Sequence, residues 1–256
     1  MPNILRDFNS QGLIKWGGES SADFGMVVSA APAFDKPTRK QTVYNVPGRN
    51  GSIIFQEDAF EDVERAYEVW IAEATEEDSG GVISGTLPER IHNFTAWLNS
   101  KKGWQELEDS FDLDVFRLAY YSGGNDFTNE MMQVGHSTLT FTCRPERFLK
   151  SGKTAITVTN GMLLTNPTKF ASKPLIHIET SSSATIGITL GGKTISATVA
   201  DYINIDCDTM NAYRQPTENK NNVITGTFPT MPAGANTVGI MGSPSLVTIV
   251  PRYFTI

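Results

Sequence analysis

The stretch "ATIGITLGGKTISATV", residues 184–199, decides the fold class of the C-terminal half of the chain. Its apolar residues alternate with polar ones, which is the period of a β-strand that buries one face. The pair Gly191-Gly192 interrupts the alternation and suits a two-residue hairpin turn, because both turn positions need a positive φ. We therefore predict two antiparallel strands. Their buried face is expected to carry Ile186, Ile188 and Leu190.

The same alternation continues on both sides of this hairpin, in "PLIHIE", "YINIDC" and "SLVTIVPRYFTI". Short strands separated by Gly, Pro and Asn turns are typical of an antiparallel β-sandwich. We predict that residues 153–256 form such a domain.

The N-terminal part is mixed but still rich in strands, and "MVVSA" and "KQTVYNV" fit strands. In "STLTFTCR", Leu139, Phe141 and Cys143 are expected to face a core, with threonines opposite them. Residues 87–101 predict a helix with Pro88 in its first turn and an apolar stripe of Ile91, Phe94 and Leu98 beside Trp97. Residues 60–74 fit a helix or a strand. We predict a mainly β fold, with residues 1–152 as a separate domain containing one or two helices.

Charge is spread unevenly along the chain, which has 256 residues and a net charge of -7. Between Glu57 and Asp114 there are 16 acids and 4 bases, a net of -12, whereas residues 151–256 have 5 acids and 7 bases, a net of +2. The change indicates two units with different surroundings. The chain has no basic stripe, so we expect no specific nucleic-acid binding.

Other features of the sequence argue against a membrane-spanning protein, a secretory signal and a disulfide. No run of about 18 apolar residues could span a membrane, and residues 1–12 lack the apolar segment of a secretory signal. Cys143 and Cys207 both lie on alternating strands, so we expect small core residues rather than a disulfide.

A compact turn is predicted in "VYNVPGRNGSI", residues 43–53. A nucleotide-binding P-loop needs a different glycine spacing and a lysine, so we exclude it. Pro47-Gly48 fits the centre of a type II turn, and Asn50-Gly51 fits a type I′ turn. Arg49 is then displayed at the tip of a hairpin, either in solvent or presented to another subunit.

Sequence patterns for catalysis are weak. His92, His136 and His177 have no Cys or His at metal-ligand spacing, and no G-x-S-x-G motif occurs. The many carboxylates leave a glycosidase pair as an alternative, but a solvated acidic face explains them as well. We predict no catalytic residue, no cofactor, no metal site and no enzyme.

An ordered set of motifs resembles the distal tail proteins of siphophages, the hub proteins of long non-contractile phage tails. The resemblance covers nearly the whole chain. The motifs are "VPGRNG" (46–51), "WLNSKKGWQELEDSFDLDVFRLAYY" (97–121), "LTFTCRPERF" (139–148), "LTNPTKFASKPLIHIE" (164–179), "YINIDCDTMNAYR" (202–214), "GTFPTMPAGANTVGI" (226–240) and "IVPRYFTI" (249–256). Tyr253 stands where the family more often has Trp.

The resemblance implies a homo-hexamer at the tail tip, assembled in the host cytoplasm. N-terminal domains would form a ring around a DNA channel, and galectin-like C-terminal domains would project from it. Expected partners are the tail tube protein, a tail-associated tip protein, and receptor-binding or baseplate proteins. A carbohydrate-binding adhesion protein is the alternative function, and sugar binding would discriminate the two.

Two sets of residues are expected to act in the ring. The subunit or partner interface is expected at Pro47, Gly48, Arg49, Asn50, Gly51 and Trp97. The channel-facing acids are expected at Glu57, Asp58, Glu61 and Asp62, because an acidic lining repels DNA phosphates. The same acids could equally face outside solvent.

Overall fold

The computed structural model describes residues 12–34, 36–72, 85–124, 126–130 and 134–256, with the side chains of residues 129 and 130 excepted. Residues 1–11, which include nearly all of the segment expected to lack a secretory signal, lie outside this part. The chain divides into two compact units between Arg147 and Phe148, with Ile256 assigned to the first unit. Both units consist mainly of antiparallel strands, so the predicted mainly β fold is confirmed.

The N-terminal unit contains ten strands and an α-helix among the described residues. They are β1 (Ile14–Trp16), β2 (Glu19–Ser20), β3 (Met26–Val28), β4 (Arg39–Tyr44), β5 (Ile53–Phe60), β6 (Val63–Ala72), α1 (Leu87–Ser100), β7 (Gln105–Asp109), β8 (Val115–Tyr121), β9 (Thr128–Glu130) and β10 (Val134–Leu149, ending just past the unit boundary). The main sheet has the order β2-β1-β7-β8-β10-β6-β3, with β9 also paired to β10. A short 3₁₀ turn covers Ser21–Phe24.

Strand β6 resolves the ambiguous segment. Every second residue from Val63 to Ile71 is buried and the residues between them are exposed. The strand pairs with β10 from Cys143↔Val63 to Val134↔Ala72. The helix formers in this segment are overridden because the buried residues join those of β10 in one core, where Leu139, Phe141 and Cys143 are fully buried.

Helix α1 begins as the sequence predicted. The Glu89 carboxylate accepts hydrogen bonds from the backbone N–H and the hydroxyl of Thr86, at 3.0 Å each. These bonds form a capping box and lower the pKa of Glu89. Phe94 and Leu98 face the core, whereas Ile91 is only partly buried.

The C-terminal unit contains twelve strands. They are β11 (Ile156–Thr157), β12 (Leu163–Asn166), β13 (Leu175–Glu179), β14 (Ala184–Leu190), β15 (Lys193–Val199), β16 (Tyr202–Asp206), β17 (Asn211–Tyr213), β18 (Ile224–Gly226), β19 (Gly234–Thr237), β20 (Gly239–Met241), β21 (Leu246–Val250) and β22 (Phe254–Thr255). Short 3₁₀ turns cover Lys150–Lys153 and Asn221–Val223.

Two sheets enclose the core of this unit. One has the order β11-β21-β13-β16-β17 and the other β18-β15-β14-β20, while β12 pairs with β19 separately. Both sheets contribute fully buried residues, such as Ile176 and Ile188, to a single cluster. This is the arrangement of a β-sandwich.

The hairpin of β14 and β15 has the predicted turn. Gly191 and Gly192 have φ values of 56° and 76°, as a type I′ turn requires. Ile186, Ile188 and Leu190 are fully buried. The two-residue turn fixes the register, and the register places this apolar set in the core.

Candidate interaction surfaces

Strands β4 and β5 form a hairpin that makes a two-stranded sheet of its own. We call residues 39–60 the arm. Its register runs from Tyr44↔Ile53 to Arg39↔Phe60, with an irregularity between Arg39 and Gln41. An isolated two-stranded hairpin is only marginally stable in water. The arm is therefore a segment for which the described chain provides little cover.

The arm exposes apolar side chains on both faces. Tyr44 and Phe55 lie on one face with their rings 5.6 Å apart, and Val43 pairs with Ile54 on the other. These four side chains are 50 to 60% exposed. A surface strand normally buries one face, so a hairpin with two exposed apolar faces is suited to insertion between protein surfaces.

Two turns were predicted at the end of the arm, and the structure contains only the first of them. Gly48 has a φ of 80°, and the Arg49 N–H donates to the Val46 carbonyl at 3.2 Å, as in a type II turn. The type I′ prediction at Asn50-Gly51 is wrong. Among described non-glycine residues only Met210 and Arg252 have positive φ, so Asn50 does not adopt the required conformation.

A longer loop explains this difference. The strands stop at Tyr44 and Ile53, so residues 45–52 all belong to the connection. The Ser52 hydroxyl donates to the Asn45 side-chain oxygen at 2.6 Å and ties the two ends of the loop together. The loop closes through this bond and the type II turn, and needs no second tight turn. Residues 47–51 are all exposed.

The four acids predicted to face a channel are all exposed. Glu57 and Asp58 lie in β5, and Glu61 and Asp62 connect β5 to β6. Asp58 lies 3.8 Å from the Arg39 guanidinium in an open ion pair. Glu57 and Asp58 lie opposite the irregularity between Arg39 and Gln41, where the regular alternation of faces is interrupted.

Trp97 lies in the core rather than at the surface. Its side chain is 4% exposed. It stacks on Phe24 at 4.8 Å and meets Trp16 edge-on at 6.0 Å. Because this side chain packs in the core of the N-terminal unit, Trp97 has no part in the interface proposed below.

Exposed aromatic residues lie on or beside the outer face of the main sheet. Trp104 and Tyr120 are 37% and 38% exposed, with rings 5.0 Å apart. The Arg144 guanidinium lies 5.2 Å from the Trp104 ring. On the same face, Trp70 of β6 lies 4.7 Å from the His136 ring of β10. Pairing of β6 with β10 aligns Trp70 with His136, although the two residues are far apart in the sequence.

A buried ion pair holds the interior of the N-terminal unit. The Arg65 guanidinium donates to Asp109 at 2.8 Å, and the Tyr67 hydroxyl donates to the same oxygen at 2.8 Å. Burial, aided by the Asp109 charge, raises the pKa of Tyr67 well above its ordinary value. The hydroxyl therefore stays protonated and serves as a donor. These partners satisfy one another, which indicates a structural role.

The metal-ligating side chains and cysteines of the described residues form no metal or catalytic site that we can identify. No group of three His, Cys, Asp or Glu side chains suitable for a metal occurs in the described part of the chain. Cys143 and Cys207 are buried and form no disulfide with each other, and burial raises the pKa of Cys207 to about 12, far from that of a reactive thiol. None of the described helices has the length and apolar character needed to cross a bilayer.

Comparison with known proteins finds a similar fold among solved structures. No protein-family model and no curated protein matches the chain. The crystal structure of the SPP1 Dit protein (gp 19.1) is similar with a TM-score of 0.71 and 14% identity, over 96% of this chain and 99% of that one. The chain has the fold of SPP1 Dit. That protein is described as a paradigm of the hub adsorption apparatus in phages that infect Gram-positive bacteria.

Proposed function

We propose that this protein is a structural component of a siphophage tail tip, a homo-hexameric hub that joins the tail tube to tip or baseplate proteins. The observation that carries the proposal is the fold shared with SPP1 Dit over nearly the full length of both chains. The similarity extends over both units of this chain. The protein would act by assembly, without catalysis, in the virion after assembly in the host cytoplasm.

The arm supports assembly through the N-terminal unit. Its apolar side chains are exposed on both faces, and its turn residues Pro47 to Gly51 project into solvent. Inserting such a hairpin between neighbouring subunits would cover both faces at once. We assign ring formation to residues 1–152, and obligate interfaces of this kind bury on the order of 2,000 Å² or more.

The acids of β5 and its following turn fit a channel lining. Glu57, Asp58, Glu61 and Asp62 are all exposed and close together in the sequence. Acids on the channel surface would keep DNA phosphates from binding as the genome passes. A ring whose interior is neutral or basic would contradict this assignment.

Partners follow from the two units. In the proposed hub, one ring face contacts the tail tube protein and the other a tail-associated tip protein. Residues 153–256 would form galectin-like domains that hold receptor-binding or baseplate proteins. The exposed aromatic pair Trp104 and Tyr120 offers the N-terminal unit a further protein-binding surface.

Light scattering of the purified full-length protein, with negative-stain images of the same sample, tests the ring. The expected result is a hexamer, or paired hexamers, seen as rings with a central hole. A monomer at every concentration, both alone and with purified tail tubes as template, would contradict the proposal.

A pair of matched variants tests the arm. Phe55→Ser removes one exposed apolar side chain of the arm, and Leu163→Ser makes the same kind of change on β12, where Leu163 is 61% exposed. We expect Phe55→Ser to dissociate the ring and Leu163→Ser to leave it intact. Equal effects of the two variants, or none, would remove the arm from the interface.

A further inference from the structure

The outward face of the five-stranded sheet in the C-terminal unit carries an ordered row of polar side chains. Five residues, one from each strand, are successive cross-strand partners. In sheet order, the polar row is Thr157, Thr248, His177, Asn204 and Tyr213. Their sequence neighbours Ile176, Ile205, Ile249 and Ala212 are fully buried, so alternation turns the polar row away from the core.

The centre of the row is held in one geometry. The His177 ring has a polar partner at each nitrogen, with Nδ1 2.8 Å from the Asn204 side-chain oxygen and Nε2 2.9 Å from the Glu179 carboxylate. Glu179 pairs across the sheet with Tyr202, whose ring lies 5.7 Å from that of His177. Groups on paired strands that are fixed in this way form a pre-organised surface for a ligand.

Arg214 and Asp201, which lie beside Tyr202, are also held in place by mutual contacts. The Arg214 guanidinium lies 5.4 Å from the Tyr202 ring and donates to the Asp201 carboxylate at 2.6 Å. Arg214 and Asp201 remain substantially exposed, with side chains 38% and 58% accessible. A cation, a carboxylate and a tyrosine thus lie beside the polar row.

Several hydrogen-bonding groups at this surface remain open. The second carboxylate oxygen of Glu179 and the amide nitrogen of Asn204 bond to no other described residue. The hydroxyls of Tyr202, Tyr213 and Thr248 likewise have no protein partner within the described ranges. An acceptor and a donor on either side of one imidazole match a ligand that presents neighbouring hydroxyl groups, each of which both donates and accepts.

The composition of the surface discriminates among ligands. The exposed large apolar side chains of this unit are Leu163, Met210 and Met241, and none lies in the row or on its Glu179–Tyr202 neighbours. A protein-docking centre would expose such side chains. The arginines at this surface are both paired with carboxylates, Arg214 with Asp201 and Arg252 with Asp206, which disfavours an anionic polymer.

We propose that this face binds a neutral, hydroxyl-rich saccharide, with Glu179, His177 and Asn204 as the hydrogen-bonding centre and Tyr202 and Tyr213 as flanking aromatic surface. The site lies wholly within the C-terminal unit and does not depend on the ring. It gives that unit a binding function beyond holding other tail proteins.

Binding of the full-length protein to a printed array of neutral oligosaccharides, built from hexoses and N-acetylhexosamines, is the first test. The best-bound oligosaccharide is then titrated in solution by calorimetry. We expect binding to at least one neutral structure. An array on which the folded protein binds nothing, or binds acidic glycans alone, would overturn the proposal.

Matched variants locate the site. Glu179→Gln keeps the shape of the side chain and removes the charged acceptor, so we expect the affinity to fall by about tenfold or more. Thr185→Ala is the control, because Thr185 is exposed on the other sheet and bonds only to the Thr198 hydroxyl. Unchanged binding by folded Glu179→Gln, or an equal loss in Thr185→Ala, would show that sugar binds elsewhere.

The Phe55→Ser variant separates this proposal from the hub. Saccharide affinity per chain should be the same for Phe55→Ser as for the unaltered protein, whatever their oligomeric states. A dependence of solution affinity on the ring would contradict a site contained in one unit.

Discussion

Two hairpins of this protein, that of β14 and β15 and the arm, use similar apolar residues but differ in how far these residues are buried. In the hairpin of β14 and β15, the apolar set of β14 is fully buried within its own unit. In the arm, Val43, Tyr44, Ile54 and Phe55 stay at least half exposed, and they lie on both faces. The comparison shows that an apolar strand pattern predicts that a surface will be buried. The pattern does not predict whether the same chain or another protein buries it.

The comparison also bears on stability. Burial of apolar surface is the main favourable contribution to folding. The β14–β15 hairpin therefore contributes to the stability of an isolated chain, whereas the arm contributes mainly once a partner covers it.

Truncating one isoleucine in each hairpin gives the largest expected contrast. Ile188→Ala leaves a cavity in a closed core and should lower the free energy of unfolding by about 2–5 kcal/mol. Ile54→Ala removes atoms already in solvent, so we expect a change within about 0.5 kcal/mol. Urea unfolding at a concentration where the protein is monomeric measures both. Equal losses would mean that the monomer itself buries the arm.

Alanine substitution of the two glycines in the β14–β15 turn is expected to reduce stability by an intermediate amount. A Cβ on Gly191 would lie 2.1 Å from the Thr230 carbonyl oxygen, whereas a Cβ on Gly192 meets nothing within 4 Å. Both residues have a positive φ, so each alanine carries a conformational penalty of about 1–2 kcal/mol. We expect Gly191→Ala to be the more destabilising in thermal unfolding, because it must also move residue 230. If the two are equally destabilising, the turn is looser than its close contacts imply.

Local sequence predicted the strands of both hairpins, and its limits have physical causes. Gly191-Gly192 was predictable because a two-residue turn permits few conformations. Asn50-Gly51 was not, because the longer loop allowed other closures. The same distinction applies to β6, whose helix formers were overridden by pairing with β10, a contact that no local window contains.

The candidate surfaces show the same limit. Exposure of the turn at Pro47 to Gly51 was predicted from turn chemistry, but Trp97 was placed at an interface although it packs on Phe24 and Trp16. The sequence pattern of an amphipathic helix shows which face is apolar. It does not show whether that face is covered by the same chain or by another protein. The polar row was missed because its residues come from five strands, and only pairing across the sheet aligns them.

The smallest expected difference is in how low pH affects stability through two carboxylates, Asp206 in the C-terminal unit and Asp58 in the arm. Burial disfavours the charged form of Asp206, but the Arg252 hydrogen bonds and charge, with the N–H groups of Asp208 and Thr209, outweigh it and lower its pKa. A carboxylate with a lowered folded-state pKa stabilises the fold above its unfolded pKa, and this stability is lost as the pH falls through the folded value. Asp58 in the arm is fully exposed, 3.8 Å from Arg39, so its pair contributes little.

Urea unfolding along a series of falling pH therefore separates the two carboxylates. Unfolding of the C-terminal unit in Asp206→Asn should depend less steeply on pH than in the unaltered protein, because the proton-linked stability is gone. Asp58→Asn, the same chemical change in the arm, should keep the original slope. Identical slopes in all three proteins would mean that another carboxylate controls acid unfolding. The Asp206–Arg252 pair, at 2.7 Å, would then hold the C-terminal segment in place without setting its acid stability.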